Sequence, residues 1–455
     1  MPLTGTRADW RTGNGRPPVQ TTDAGRPLTG LLTTWGVTRS VLLLFVFKVL
    51  TFPGPDVTSD VWATYHGWYE VLGGGAFPAA DVTWQYPPAA ALAILSPGLL
   101  PFLDYASAFF VLAFLADLAV LVLLLHTGLR PGRSLRGAWM WTTGAALLGP
   151  TLYARYDVMV TAVAVGALVA GVRHPRVMGT LTGFAALLKV WPVLLLAGAA
   201  RRRAWGAAAV TAVALSGVFA LAMPGAFAFL SSQRDRGTEV ESVGALALHV
   251  ARQFGWRGEV LFRYGSLEFT GPYVDVVNDV ALGLTALAFG WLLLWRLTAR
   301  RLRPHTLPEA AFTAVLLFTV TSRVISPQYL VWLIGLAAVC LCFRDSRMTL
   351  PAALVLVASP VTVLEFPVWF ADVVASSPLG VGLMLLRNGL LVAAALIAAV
   401  RLWRSTARTP GPAAPSGRRA RDGERAVSPL TGPDPAGPRP DPDLRAAPGD
   451  AAGPQ

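Results

Sequence analysis

The chain has 455 residues, 54% of them hydrophobic and 14% charged, with a formal net charge of +12 at pH 7. Soluble domains carry about 25% charged residues, so a soluble enzyme, a secreted disulfide scaffold and a disordered protein are excluded as whole-chain readings. A mean hydropathy of +0.52 and apolar blocks near the ~20 residues needed to cross a bilayer indicate an all-α polytopic membrane protein.

Residues 1–29 are polar and rich in Arg, Gly, Thr and Pro, and read as a disordered N-terminal tail. The first apolar block, about 30–52, is too long for a signal-peptide core and lacks a small-residue cleavage site, so it reads as a retained anchor. Further spans are expected near 104–127, 137–153, 156–172, 204–223, 273–297, 308–324, 326–343, 349–366 and 379–403, within a total of ten to thirteen. Two stretches read as broken or re-entrant helices. Residues 86–103 contain Pro87, Pro88, Pro97 and Pro101, and residues 176–200 contain Lys189 and Pro192. Irregular backbone at membrane depth is tolerated only against protein or a cavity. Residues 404–455 hold 11 of the 35 prolines and no aromatic residue, the composition of a disordered tail. The membrane domain is thus expected over 30–403.

Basic residues cluster between the apolar blocks, at Arg130, Arg133 and Arg136, at Arg173 and Arg176, at Arg201–Arg203, at Arg300, Arg301 and Arg303, and at Arg344 and Arg347. The positive-inside rule puts these clusters and both tails on the cytoplasmic side of a bacterial plasma membrane. This layout also accounts for the pI near 10.4 without a nucleic-acid partner. The opposite side receives outer loops 53–103 and 224–272. Cys340 and Cys342 lie two apart in an apolar block, where they do not face each other on a helix. The five histidines show no metal-ligand spacing and no phosphate-cradling glycine loop occurs.

In the first outer loop, Val61, Tyr65, Trp68 and Leu72 recur at helical spacing, between a cap at Ser59 or Asp60 and Gly73-Gly74-Gly75. This predicts a short helix lying in the membrane interface, with its apolar face in lipid. Asp60 at its start is either a helix cap or a general base. Arg155 and Arg323 lie between spans near the outer side, and Arg234 and Arg236 flank Asp235. Ionisable groups at such depth normally face a polar cavity or a partner, and arginine suits bidentate binding of phosphate. Arg155 has a structural alternative in pairing with Asp157 or another carboxylate. Lys189 needs an anionic partner, and Asp117 within its span reads as half of a structural ion pair.

An acidic residue early in the first outer loop, Asp60, is followed by Tyr86-Pro-Pro88, Arg155-Tyr-Asp157, Lys189-Val-Trp-Pro192, the run from Arg236 to Ser242 and the run from Ser326 to Trp332. In their order and loop placement these residues resemble glycosyltransferase family 87 of the GT-C superfamily. That family includes polyprenyl-phosphate-mannose-dependent mannosyltransferases. The resemblance implies a GT-C-type bundle that moves a hexose, mannose by family default, from a polyprenyl phosphate to a lipid or cell-envelope glycan at the outer face. Asp60, with Asp56 as its rival, would be the base of an inverting reaction. Arg323, Arg155, Lys189, Arg234 and Arg236 would hold the donor phosphate. Other residues of these motifs, Tyr86, Asp157, Glu241, Gln328 and Tyr329, are candidates for substrate contact, together with His66. Because Asp56 and Asp60 are separated, a metal-bridging pair is not expected and no cofactor is implied. A transporter or flippase of polyprenyl-linked sugars, or a non-catalytic partner in envelope assembly, are the alternative readings.

Overall fold

The computed structural model describes residues 25–234 and 236–407. The expected tails therefore lie largely outside the described residues. Helix α1 spans Gly25–Val46, so it starts earlier than the expected anchor. A π-helical turn, Val61–Tyr65, leads into α2 (His66–Gly73), followed by α3 (Ala90–Leu95) with a 3-10 extension, Ser96–Leu99. Helices α4 (Tyr105–Gly128), α5 (Arg136–Leu147), α6 (Asp157–Gly171), α7 (Pro175–Leu188) and α8 (Arg202–Ala222) come next. The long loop after α8 carries α9 (Phe229–Arg234), strand β1 (Thr238–Glu239), α10 (Ala245–Gln253) and strands β2 (Glu259–Arg263) and β3 (Ser266–Thr270). The rest of the chain is α11 (Val274–Thr298), α12 (Thr306–Thr321), α13 (Tyr329–Leu341), α14 (Thr349–Val363), α15 (Phe370–Ala375) and α16 (Pro378–Ala407).

The protein is an all-α polytopic membrane protein with one small antiparallel sheet, ordered β1-β3-β2. Among the described residues, six helices are long and apolar enough to cross a bilayer: those of α1, α4, α8, α11, α14 with its extension to Val368, and α16. The stretches expected to span at 137–153, 156–172, 308–324 and 326–343 form shorter helices. Those of α12 and α13, at 16 and 13 residues, reach roughly 24 and 20 Å against a hydrocarbon core of about 30 Å. Their ends are set by breakers: Gly149 and Pro150 end the α5 region, and Pro327 separates α12 from α13. Both irregular stretches are broken where the prolines sit. Residues 175–198 form α7, an extended Lys189 and a 3-10 helix, Trp191–Gly198.

Helix α13 is apolar all round, and every residue from Leu330 to Leu341 is buried, the pattern of a helix enclosed by others. Its close neighbours are small: a Cβ on Gly137 of α5 would strike the Ala338 carbonyl and Cys342, and one on Gly335 would strike Thr161 of α6. Such small residues let membrane helices approach. Cys340 and Cys342 are buried free thiols within this packing.

Asp117, mid-way along α4, meets Arg39 of α1. Arg39 Nε is 2.9 Å from Asp117 Oδ2, while Trp141 Nε1 and Tyr153 Oη also donate to this carboxylate at 2.6 and 2.7 Å. Arg39 Nη1 donates to the Thr142 carbonyl at 2.7 Å. The network ties α1, α4 and α5 together, and both charged side chains are almost wholly buried.

The helix of the first loop forms as expected, but its face is covered differently. Val61, Tyr65, Trp68 and Leu72 are all buried. Tyr65 packs edge-on to Phe109 of α4 and Trp68 edge-on to Trp84. Protein, not lipid, receives this face, because the aromatic residues of the following loop and of α4 pack over it. The basic clusters and the breaks lie at opposite helix ends. Helix α6 opens beside Arg155 and closes before Arg173, α12 opens after Arg303 and closes before Arg323, and α13 closes before Arg344.

Breaking a buried ion pair by removing one partner costs about 3–5 kcal/mol. Arg39→Leu is therefore expected to lower thermal unfolding stability of the detergent-solubilised protein by that order, and an unchanged transition would contradict the structural role of the pair.

Candidate functional site

The loop after α1 reaches the bundle at Gly54. This residue has φ +93° and passes so close to Pro367 that a Cβ would strike the Pro367 carbonyl. The contact pins the loop beside the junction of α14 and α15. Asp56 follows and is engaged on both oxygens. Its Oδ1 accepts from the Thr58 amide at 2.9 Å and the Thr58 hydroxyl at 2.6 Å, and Lys48 Nζ is 3.2 Å from Oδ2. Burial raises its pKa, but these bonds outweigh that effect and hold it below the ordinary carboxylate value.

Asp60 precedes the π-helical turn without capping it; its side chain makes no cap hydrogen bond. The carboxylate turns instead to Arg155, with which it forms an ion pair through Oδ2. Its Oδ1 has only a long bond from Thr64 Oγ1, at 3.4 Å, and the side chain remains 38% exposed. Arg155 is placed by the break before α6. Of the structural alternatives for Arg155, pairing with another carboxylate is the one realised, in Asp60 and not Asp157.

Asp157 is taken by Lys189. Nζ lies 2.7 and 2.8 Å from its two oxygens, and Trp332 Nε1 donates to Oδ1 at 2.6 Å. The same ammonium sits 5.5, 5.2 and 5.2 Å from the ring centroids of Tyr86, Tyr156 and Trp332. A cation close over aromatic faces is stabilised by their quadrupoles. Trp332 stacks between Trp191 and Tyr329. Asp157 is buried beneath this cage and is not itself on the cavity wall.

From the long loop, Arg236 approaches Glu268 at 3.4 Å and Ser266 at 2.9 Å. Arg323, just past the end of α12, donates to the carbonyls of Arg236 at 2.7 Å and Gln233 at 3.2 Å. Among the described residues it has no carboxylate within ion-pair distance. Burial, reinforced by the charge of Arg236, lowers its pKa, as expected for a cation short of counter-charge. Glu239 is pushed up to about 7, chiefly by burial. Burial and the proximity of Glu239 raise Glu241 as well.

These groups share one cavity of about 830 Å³. Its wall includes Asp56, Asp60, Tyr86, Arg155, Lys189, Arg236, Glu239, Glu241, Arg323, Gln328 and Tyr329. Besides Asp157, two sequence candidates are not placed there. His66 is exposed, stacked on Tyr105 at 5.1 Å, because it lies about 100° round the helix from Tyr65. The side chain of Arg234 lies outside the described residues. Sequence reading missed Glu239, although it shares the short strand and loop with Glu241. Apolar side chains extend the cavity: Leu282 of α11 and Phe318 of α12 lie on its wall with Phe229, Phe366 and Phe370. A chamber with cations at one part and apolar helix faces at another suits an amphiphile with an anionic head.

A sequence model of glycosyltransferase family 87 matches residues 84–327, more than half of the chain. The match takes in Tyr86, Arg155, Lys189, Arg236, Glu241 and Arg323, with Asp60 on its N-terminal side. No curated protein and no solved structure matches significantly. The chain belongs to glycosyltransferase family 87 and is a multi-pass membrane glycosyltransferase.

Proposed function

We propose that this enzyme transfers a hexose, with mannose as the first candidate, from a polyprenyl phosphate to a lipid or cell-envelope glycan acceptor. The observation carrying this reading is that Asp60 lines the same cavity as Arg155, Lys189, Arg236 and Arg323. An acceptor hydroxyl attacks the anomeric carbon from the face opposite the phosphate. The new carbon–oxygen bond forms as the bond to the phosphate oxygen breaks. The acceptor proton passes to Asp60, and the electron pair of the broken bond leaves on polyprenyl phosphate. A single displacement inverts the anomeric centre, the counterpart of single-step glycoside hydrolysis.

Asp60 suits the base role better than Asp56. An ionised carboxylate offers about four lone-pair sites; Asp60 commits them to Arg155 and one long bond from Thr64, whereas Asp56 is bonded by Thr58 and Lys48. Arg155 is a hinge of charge between base and donor. Without donor it neutralises Asp60; an arriving phosphate shares it and leaves the carboxylate freer to accept a proton. Arg323 supplies the charge least matched among the described residues. Lys189 and Arg236, each already beside a carboxylate, contribute direction more than net charge. Such fixed cations stabilise charge developing on the leaving oxygen. With guanidinium already on Asp60 and Asp56 held by Lys48, the reaction is metal-independent in this account.

The basic clusters at the helix ends opposite the cavity support an outer-face site with cytoplasmic termini in a bacterial plasma membrane. The apolar part of the wall, between α11 and α12, suits the polyprenyl chain.

General base catalysis contributes about 10²–10⁴-fold. Asp60→Asn should therefore lower turnover with polyprenyl-phosphate mannose by that factor while leaving donor affinity nearly intact; undiminished transfer would remove Asp60 from the mechanism. A hydrogen bond to a charged group is worth about 1.5–3 kcal/mol, so Arg323→Ala should weaken donor binding on the order of tenfold or more. An unaltered donor Kd in that variant would remove Arg323 from the phosphate site.

A further inference from the structure

Two buried carboxyl groups on the cavity wall take no part in the displacement described above. Glu239 ends β1 and Glu241 lies two residues on; they are 4% and 5% exposed, and both line the cavity. Glu239 Oε1 accepts from Ser326 Oγ at 3.2 Å, while its Oε2 is buried with no partner among the described residues. Glu241 Oε1 is likewise buried and unpartnered. The Arg387 Nη2 beside it stands at 3.8 Å, too far for a hydrogen bond. That guanidinium bonds Glu365 through Nε at 2.7 Å and the Glu241 carbonyl through Nη2 at 3.0 Å, and its Nη1 is buried without a partner among the described residues.

Folding alone does not account for these groups. Glu239 stands directly opposite Glu268 in the ladder between β1 and β3, and like charges in that position are destabilising. Glu268 is satisfied, by Arg236, the Gly237 amide and Ser266. The two cavity-lining glutamates are not. A buried acceptor without a donor carries its full desolvation cost, and native proteins rarely retain one without a use. The missing donors are hydroxyl-like: two acceptor oxygens, beside a cavity whose cations already serve an anion.

We propose that Glu239 and Glu241 form a hydroxyl-reading subsite, accepting hydrogen bonds from ring hydroxyls of the transferred sugar and thereby setting which hexose is used. The inference rests on the glycosyl-donor reading above and deepens it. Arg387 and Asn388 are positioning residues: both donate to the Glu241 carbonyl and fix the segment that carries the pair. A site that hydrogen-bonds a substrate hydroxyl rejects analogues lacking it far more strongly than an apolar pocket does.

The test uses the full chain in lipid nanodiscs, with binding read by tryptophan fluorescence. The probes are bare polyprenyl phosphate, its mannosyl, glucosyl and galactosyl derivatives, and their deoxy-sugar counterparts. Wild-type protein is expected to separate these sugars by about tenfold or more in Kd. Glu239→Gln and Glu241→Gln should compress that spread to within about threefold, with affinity for the bare phosphate unchanged. The proposal is overturned if wild-type protein binds all the sugars alike, if both variants keep its preference, or if they lose the bare phosphate equally. It is also overturned if a divalent cation stabilises wild-type protein and neither variant, since the oxygens then serve a metal. Should a substitution prevent folding, the wild-type comparison between hydroxyl and deoxy sugars stands alone as the test. Failure of wild-type protein to bind bare polyprenyl phosphate would refute the donor reading instead. The subsite is then tested with octyl hexosides, whose discrimination by wild-type protein must vanish in Glu239→Gln.

Discussion

Ionised groups set into an apolar bundle must find counter-charge or a polar space, and this constraint organises the whole cavity. The pair between Arg155 and Asp60 expresses it most directly. Asp60 belongs to a loop that precedes the bundle's inner helices, and Arg155 to the break before one of them. Their attraction, with the close approach of Gly54 to Pro367, holds the first loop over the cavity. The aromatic face of α2, packed against Phe109 and Trp84, completes the attachment. The same pair orients the carboxylate while leaving it accessible from the cavity, as a general base must be.

Helix breaks, more than helices, provide the chemistry. Lys189 sits in extended backbone between α7 and a 3-10 helix, Arg155 follows a proline-containing 3-10 turn, and Arg323 follows the last turn of α12. A long side chain at such a break can reach into a cavity while the neighbouring helices stay packed. Helix α13 shows the complementary rule: apolar all round, approached closely at its own Gly335 and at Gly137 of α5, it fills the centre and contributes to the cavity only through its first turn. The bundle is regular where it is apolar and irregular where it is polar, and the two zones meet at Trp332, whose ring packs and whose N–H holds Asp157.

Composition and block length made the membrane class legible, because a chain so poor in charge has no soluble alternative. The face of Val61, Tyr65, Trp68 and Leu72 was legible from spacing; what covers it was not, since spacing reports an apolar face and not whether lipid or protein meets it. Prolines and Lys189 marked the irregular stretches correctly. Span length was harder to read, because a helix enclosed by other helices need not match the bilayer, so α12 and α13 end early. The sheet in the long loop left a signal that was passed over: two β-prone runs, the second alternating polar and apolar, either side of Tyr264 and Gly265, both of which adopt positive φ as a two-residue hairpin turn requires. Pairings were the least legible feature. An arginine such as Arg39 within an anchor calls for a partner, but only three dimensions reveal that it is Asp117. Likewise Arg155 chose Asp60 over Asp157, its near neighbour in sequence. His66 was misjudged by one position on a helix, which is enough to turn a side chain away from a cavity.

The central claim is that one chamber holds both the proton acceptor and the anion site. A cryo-electron microscopy structure of the protein with a short-chain polyprenyl-phosphate mannose would test it most directly. The account predicts phosphate oxygens at charge-assisted hydrogen-bond distance, about 2.7–2.9 Å, from Arg323 and Arg155, with Asp60 facing the anomeric carbon from the side opposite the phosphate. Phosphate density among the Arg130 or Arg300 clusters at the other helix ends, or in the cavity with Asp60 turned away from the sugar, would contradict it.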